Sequence, residues 1–314
     1  IWIPEYFCNE SLAVLREMDV QLVFYPIDEY TQPSIKNFPI VTDENRPDIF
    51  LLVHYFGEPV SNTEAVVDFC SEHGAWLVED AAHVLQPVPG VGESGDCVLF
   101  SPHKLLSIPD GAIFVVRKNG PSMFVQQPES LLLLDDIVKD LIPRQRRIDL
   151  NTLTWMFKRT LQKVGVRIHH RFPEFTYEPI DASIKEPAGM TNLSKCLLLF
   201  ETSKLTEYAQ HRKNIVVEWE KIFQSVFDAK DYEFISTSQT PYLACIQMKD
   251  HTSAESIYRL LHMSGVPVST WPDLPPEVLE NGQTYVNQLR STRVYLPVHQ
   301  TVSKPQLNHV CKRL

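Results

Sequence analysis

The chain has 314 residues, 44% of them hydrophobic and 22% charged, with 39 acidic against 29 basic side chains and a net charge of -10. That is the composition of a globular protein of one large or two smaller domains. Its acidity argues against nucleic acid as the main partner, because phosphate neutralisation needs clustered Lys and Arg. The one basic cluster, residues 144–147 (RQRR), reads as a solvated turn. Apolar runs all fall short of the length that spans a membrane. The six cysteines form no CxxC pair, so no metal centre or redox motif is expected, and several sit in apolar runs as reduced thiols would in the cytoplasm.

In chain order, residues 1–3 read as a short strand stopped by Pro4, and 9–18 (NESLAVLREM) as a helix behind an Asn cap. Residues 21–25 (QLVFY) form the next strand. The near-continuous apolar run 48–54 (DIFLLVH) is what a strand buried on both faces requires. Residues 62–73 form an amphipathic helix with Gly74 at its stop, followed by a strand over 75–78 that ends in Glu79-Asp80 and two more strands over 97–100 and 112–116. This alternation predicts βαβ units. No signal peptide is expected, and IWIP reads as the middle of a domain, with further residues of that domain expected upstream.

Beyond residue 120 the pattern turns helical, with helices over 130–141 and 151–164 and a long helical region over 191–227 broken once. A strand over 242–248, a helix over 254–263, strands over 266–269 and 293–296 and a last helix from about Lys304 suggest a smaller α/β unit. The expected division is a large domain over 1–200 and a small C-terminal domain over 201–314.

GVGESG (90–95) spells G-x-G-x-x-G, yet it leads into a strand rather than a helix, so it reads as a turn and not as a dinucleotide site. Asp80 stands at the carboxyl end of WLVED, where open α/β sheets bind ligands. An Asp capping the next turn is the plainer alternative. Lys104 follows the next apolar strand in FSPHKLL, 24 residues on by sequence number. Burial disfavours an ammonium, and a neutral amine can form a Schiff base; a lysine snorkelling near a turn is the alternative. His83 lies three residues beyond Asp80, and Ser101 three before Lys104.

An amine, an acid and a histidine at neighbouring strand ends suit pyridoxal 5'-phosphate, which needs a lysine and an acid partner for its ring nitrogen. Asp80 would keep that nitrogen protonated, His83 would contact the phenolic oxygen, Ser101 would hold the phosphate, and Tyr6 or Phe7 would stack on the ring.

The run from LLVHYFGEP (51–59) through HGAWLVEDAAH (73–83) to GDCVLFSPHKLLSIPDGAIFVV (95–116) resembles the DegT/DnrJ/EryC1/StrS aminotransferases. IWIPEYFCNESL, TWPDLPPEV (270–278) and RVYLPVHQ (293–300) are similar to further segments of that family. The resemblance implies an aspartate-aminotransferase-like (fold type I) three-layer α/β/α large domain with a mostly parallel sheet, plus a smaller C-terminal α/β domain. It implies a homodimer with shared active sites, and transfer of an amino group from a small-molecule donor, glutamate, to a nucleotide-linked keto sugar.

Lys104 matches the family's cofactor lysine, Asp80 the pyridinium partner and His83 the Gln/His that follows it. Trp271 and His299 are candidates for the acceptor pocket. Three features depart from the pattern. Leu99 stands where most members carry the phosphate serine, no Ser-Gly-Thr-Ala segment occurs in this chain, and residues 189–192 (GMTN) do not reproduce the family's Asn-x-Arg. Two other functions remain open at this point. One is sugar dehydration, which Lys104 argues against because that branch carries histidine there. The other is a non-catalytic or sensory homologue that keeps the fold.

Overall fold

The computed structural model describes residues 1–117, 150–163, 190–235, 240–280 and 285–314. Its first sheet holds six strands: β1 (Trp2–Pro4), β2 (Val23–Tyr25), β3 (Ile49–Val53), β4 (Trp76–Asp80), β5 (Cys97–Phe100) and β6 (Ile113–Val116), in the order β2-β1-β3-β4-β5-β6. The first five are parallel, and β6 alone runs antiparallel to its neighbour β5. The mostly parallel α/β sheet expected from the sequence is therefore present.

The apolar runs become central strands because both faces are covered. Trp2, Phe50 and Leu52 are fully buried, with Phe38 packed edge-on against Trp2 and Phe69 edge-on against Phe50. Between β3 and β4 runs helix α2 (Thr63–His73), preceded in the chain by α1 (Ala13–Glu17). Gly74 ends α2 at φ 69°, a left-handed position that glycine occupies without Cβ strain. The helix expected over 9–18 is split: a 3-10 turn (Asn9–Leu12) precedes the short α1, and the turn's cap residue, Cys8, makes no side-chain capping bond.

Further along come α3 (Leu150–Lys163), α4 (Asn192–Thr202) and α5 (Leu205–Val226), so the long helical region breaks at Ser203-Lys204. The helix expected over 130–141 lies outside the described residues. A second, antiparallel sheet has the order β7-β8-β9, from β7 (Tyr232–Phe234), β8 (Leu243–Met248) and β9 (Arg293–Pro297). Helix α6 (His251–Met263) is capped by Asp250, whose carboxylate accepts the Ser253 N–H at 2.7 Å. Two short helices, α7 (Pro276–Glu280) and α8 (Tyr285–Thr292), precede β9, and α9 (Lys304–Cys311) starts with a Ser303/Gln306 capping box.

The strand expected over 266–269 does not form. Val266 and Val268 are buried, but only Ser269 bridges to Tyr295. One core packs α5, α6 and α9 on the second sheet around Trp219 and Phe223. The core of the first sheet draws in Trp271, Tyr295 and Cys245 from the later part of the chain. Among the described residues no helix is long and apolar enough to cross a membrane.

Candidate active site

Strand β1 lies between β2 and β3, so the chain leaves it first to one side and then to the other. Such a reversal opens a crevice at the carboxyl ends of the strands. Here those ends carry Phe7 and Cys8 after β1, a 3-10 turn (Tyr55–Gly57) after β3, and Asp80 at the end of β4. A cavity of about 280 Å3 sits on this edge, lined among others by Phe7, Asp80, His83, Lys104, Tyr242 and Trp271. The ladder sets Asp80 in step with Val53 of β3, which also lines the cavity, and with Leu99 of β5.

Successive side chains of a strand point to opposite faces, and β4 uses this to separate two adjacent carboxylates. Asp80 lines the cavity and accepts the Ala82 N–H at 2.9 Å. Burial pushes its carboxyl above the ordinary value, with the Ala82 amide and the charge of Lys104 pulling the other way. Glu79 is fully buried and accepts His54 Nε2 at 2.8 Å, the Gly92 N–H at 2.6 Å, the Ser94 N–H at 3.0 Å and the Gly95 N–H. Burial alone would raise it, yet the bonds from His54, Gly95 and Gly92 outweigh that and hold it below the usual glutamate range. The GVGESG loop is thus a turn whose amides face the protein's own carboxylate, as an anion nest does, in keeping with its lack of a following helix.

His83 is flanked by two rings, Phe56 at 5.8 Å and Tyr242 at 4.3 Å between centroids, both nearly parallel to it. Its Nδ1 accepts the Phe56 N–H at 3.3 Å, which leaves the proton of the neutral ring on Nε2. Burial, followed by the charge of Lys104, pushes its pKa well down, so the neutral form holds. Phe56 adopts φ 56° to present that amide, an uncommon backbone state for a bulky residue and one concentrated at functional sites.

Lys104 closes a 3-10 turn (Pro102–Lys104), and its N–H donates to Ser101 O at 3.0 Å. Leu105 and Leu106, 1% and 3% exposed, anchor the turn from below. The sequence suggests an amine sunk in a partly apolar pocket. Lys104 instead lines the cavity while staying exposed, because its buried neighbours rather than its own side chain hold the turn.

Trp271 lines the cavity and stacks on Tyr6 at 4.4 Å. Tyr6 is buried behind it, with its hydroxyl 2.7 Å from that of Tyr295. Ser101 is buried and, like Tyr6, stands off the cavity wall. His299 also stands off the wall, with Nδ1 2.9 Å from Thr301 Oγ1. Burial, with Arg212 next in size, takes His299 down to about 3. Tyr55, Tyr242 and Tyr295 are wall residues that sequence reasoning missed. Tyr55 stands two residues past the end of β3 and was accessible by the strand-end argument that found Asp80, whereas Tyr242 and Tyr295 lie in a distant part of the chain.

The donor set fits the ring end of pyridoxal phosphate: an amine, an acid and a neutral histidine share one cavity with aromatic walls. Ser11, Ser269 and Thr270 bring hydroxyl-bearing side chains to the same wall, which suits an anionic group.

The sequence model of the DegT/DnrJ/EryC1/StrS aminotransferase family matches residues 16–120. No curated protein matches the chain in sequence. Among solved structures, Helicobacter pylori PseC, an aminotransferase involved in the biosynthesis of pseudoaminic acid, superimposes with a TM-score of 0.65 at 15% identity, covering 99% of this chain and 78% of its own. The aminotransferase TlmJ of Streptoalloteichus hindustanus gives 0.64 at 17% identity over 99% and 77%. DesV of S. venezuelae, solved with a ketimine intermediate, gives 0.61 at 15% over 99% and 76%. A similar chain from Streptococcus pneumoniae is known in a PLP form and a PMP form. The chain therefore has the fold of these aminotransferases over nearly its whole length and matches the DegT/DnrJ/EryC1/StrS family in sequence over residues 16–120.

Proposed function

We propose that this chain is a pyridoxal-phosphate-dependent aminotransferase that moves an amino group from glutamate to a keto sugar. The observation that carries the reading is the meeting of Lys104, Asp80 and His83 on one cavity at the switch point of a parallel sheet. When bound, the cofactor supplies an electron sink for the carbanion formed beside the amino group. This chain's residues do the rest. Asp80 would keep a proton at the ring nitrogen. His83 would offer its Nε2–H to an oxygen on the ring. Lys104 would hold the cofactor through its aldehyde carbon, and its free amine would serve as the base that takes the proton from the donor's α-carbon and as the acid that returns it to the cofactor.

The sugar acceptor is supported by the similar solved proteins, among them PseC and its place in pseudoaminic acid biosynthesis. A cavity of about 280 Å3 lies at the small end of ligand sites, so an acceptor carrying a nucleotide would extend beyond it. A homodimer with shared sites, a large domain over 1–200 with a small one over 201–314, and a cytoplasmic setting belong to the same reading.

Lys104→Ala decides it. The wild-type protein with added pyridoxal phosphate is expected to show the visible absorbance band of lysine-bound cofactor and to lose it on addition of glutamate. The variant is expected to show neither. A lysine-type band that persists in Lys104→Ala overturns the assignment, and a wild-type band that ignores glutamate leaves a binding protein rather than a transaminase.

A further inference from the structure

Arg212, on α5, is 1% exposed. Taking a guanidinium out of water is costly unless its donors are met, usually by a carboxylate. Every acceptor that Arg212 reaches among the described residues is neutral. Its Nη2 donates to Leu105 O at 2.8 Å and to Gln300 Oε1 at 2.9 Å, its Nε to the same Oε1 at 3.2 Å, and its Nη1 to Pro241 O at 3.1 Å and Tyr242 O at 3.4 Å. Gln300 completes the cluster by donating Nε2 to Leu105 O at 3.0 Å. Burial lowers Arg212 to about 10, which leaves it charged at neutral pH.

The acceptors are not scattered. Leu105 is the residue after Lys104, and its carbonyl takes both the Arg212 and the Gln300 donors. Tyr242 supplies the ring that stacks on His83. One rigid fork therefore grips the backbone beneath the cavity amine and the backbone beneath the cavity's aromatic wall, two segments more than a hundred residues apart in sequence. A packed apolar side chain would fill the same space at lower desolvation cost. What the guanidinium adds is fixed geometry between those two backbones.

We propose that Arg212, braced by Gln300, is a positioning residue that sets the Lys104 turn against the His83–Tyr242 stack. The proposal rests on the reading of Lys104 as the reacting amine. A misplacement of about 1 Å at a reacting group costs roughly 100-fold in rate, so a loosened fork should register in turnover well before it registers in substrate binding.

The test uses Arg212→Lys, which keeps the charge but loses the fork, and Gln300→Leu, which removes the brace at a half-buried position. In cofactor-free protein, the acylation rate of Lys104 by a small amine-reactive ester is read by peptide mass spectrometry as a ratio to that of Lys249, an exposed lysine on Asp231. The ratio is expected to depart severalfold from the wild-type value in both variants, because a loosened turn no longer fixes where the exposed Lys104 amine stands against the cavity wall. With cofactor and glutamate, kcat is expected to fall roughly 10- to 100-fold with KM for the donor changing far less. A ratio and a kcat both within about twofold of wild type in the folded variants overturn the proposal. Should Arg212→Lys fail to fold, Gln300→Leu alone decides. A lysine-type band surviving Lys104→Ala defeats the functional reading instead. Wild-type behaviour of the Arg212 and Gln300 variants, with that band lost on Lys104→Ala, defeats this inference alone.

Discussion

Glu79 and Asp80 are consecutive residues of one strand, and the protein treats them in opposite ways. Glu79 is fully enclosed, held by His54 and three loop amides, and shifted toward the ionised form. Asp80 accepts one amide, faces a cavity, and is shifted toward the protonated form. A carboxylate whose lone pairs are all engaged by the protein is a structural element. One whose lone pairs are mostly unclaimed is available to a ligand. Sequence position does not separate the two, but the pleat and the loop that folds over one face do.

The largest effect expected from this contrast is on Glu79. Glu79→Ala strands the Gly92, Ser94 and Gly95 amides and the Nε2–H of His54 in the interior. Breaking a buried, hydrogen-bonded ion site by removing one partner costs about 3–5 kcal/mol, and denaturant unfolding should show a loss of that order. A loss below that seen for Asp80→Ala would invert the comparison. The next effect is on the loop that covers Glu79. A Cβ built on Gly95 would stand 2.8 Å from Glu79 Cγ and 2.9 Å from Cys97 O, closer than packed atoms approach, so the loop must lift. Gly95→Ala is expected to cost about 1–3 kcal/mol, the usual cost of overpacking, and to leave cofactor absorbance at Asp80's side of the strand intact. Loss of that absorbance with stability preserved would show that the two faces are not separate.

The parallel strands were legible because strands covered on both faces leave continuous apolar runs, as IFLLV in β3 does. Asp80, His83 and Lys104 were legible because chemistry at the ends of such strands stands out against the apolar run before it. Other features leave no such trace. VPVS (266–269) alternates like a strand, and its valines are buried, but Pro267 lacks the N–H a ladder needs, and one bridge is all that forms. YEF, which becomes β7, is too short to carry a period. Tyr242 and Arg212 reach the site from far along the chain, and Arg212 acts on backbone carbonyls, which every residue has and no motif records. The depth of Lys104 was misjudged for a related reason. The apolar residues beside it in FSPHKLL bury the turn, not the amine.

The smallest effect in stability falls on Asp80 itself, and its sign in pH distinguishes the two carboxylates. Asn can still accept the Ala82 N–H, so Asp80→Asn should change stability by no more than about 1 kcal/mol, while the cofactor band weakens because an amide cannot hold a proton at the ring nitrogen by charge. Between the ordinary aspartate value of 3.8 and the higher value in the fold, the unfolded chain has released a proton that the folded chain retains. The contribution of Asp80 to stability therefore falls as pH rises through that window. Glu79 has the opposite sign. Its stabilisation is present above the ordinary glutamate value of 4.5 and is lost as pH falls through its lower value in the fold. Unfolding free energies of cofactor-free wild type and Asp80→Asn, followed from acid to neutral pH, should converge at the acid end and separate in favour of the variant as pH rises past 3.8. A variant that loses ground over that interval would mean that the Asp80 carboxylate is held as firmly as Glu79, and would remove the ground for assigning it to a ligand.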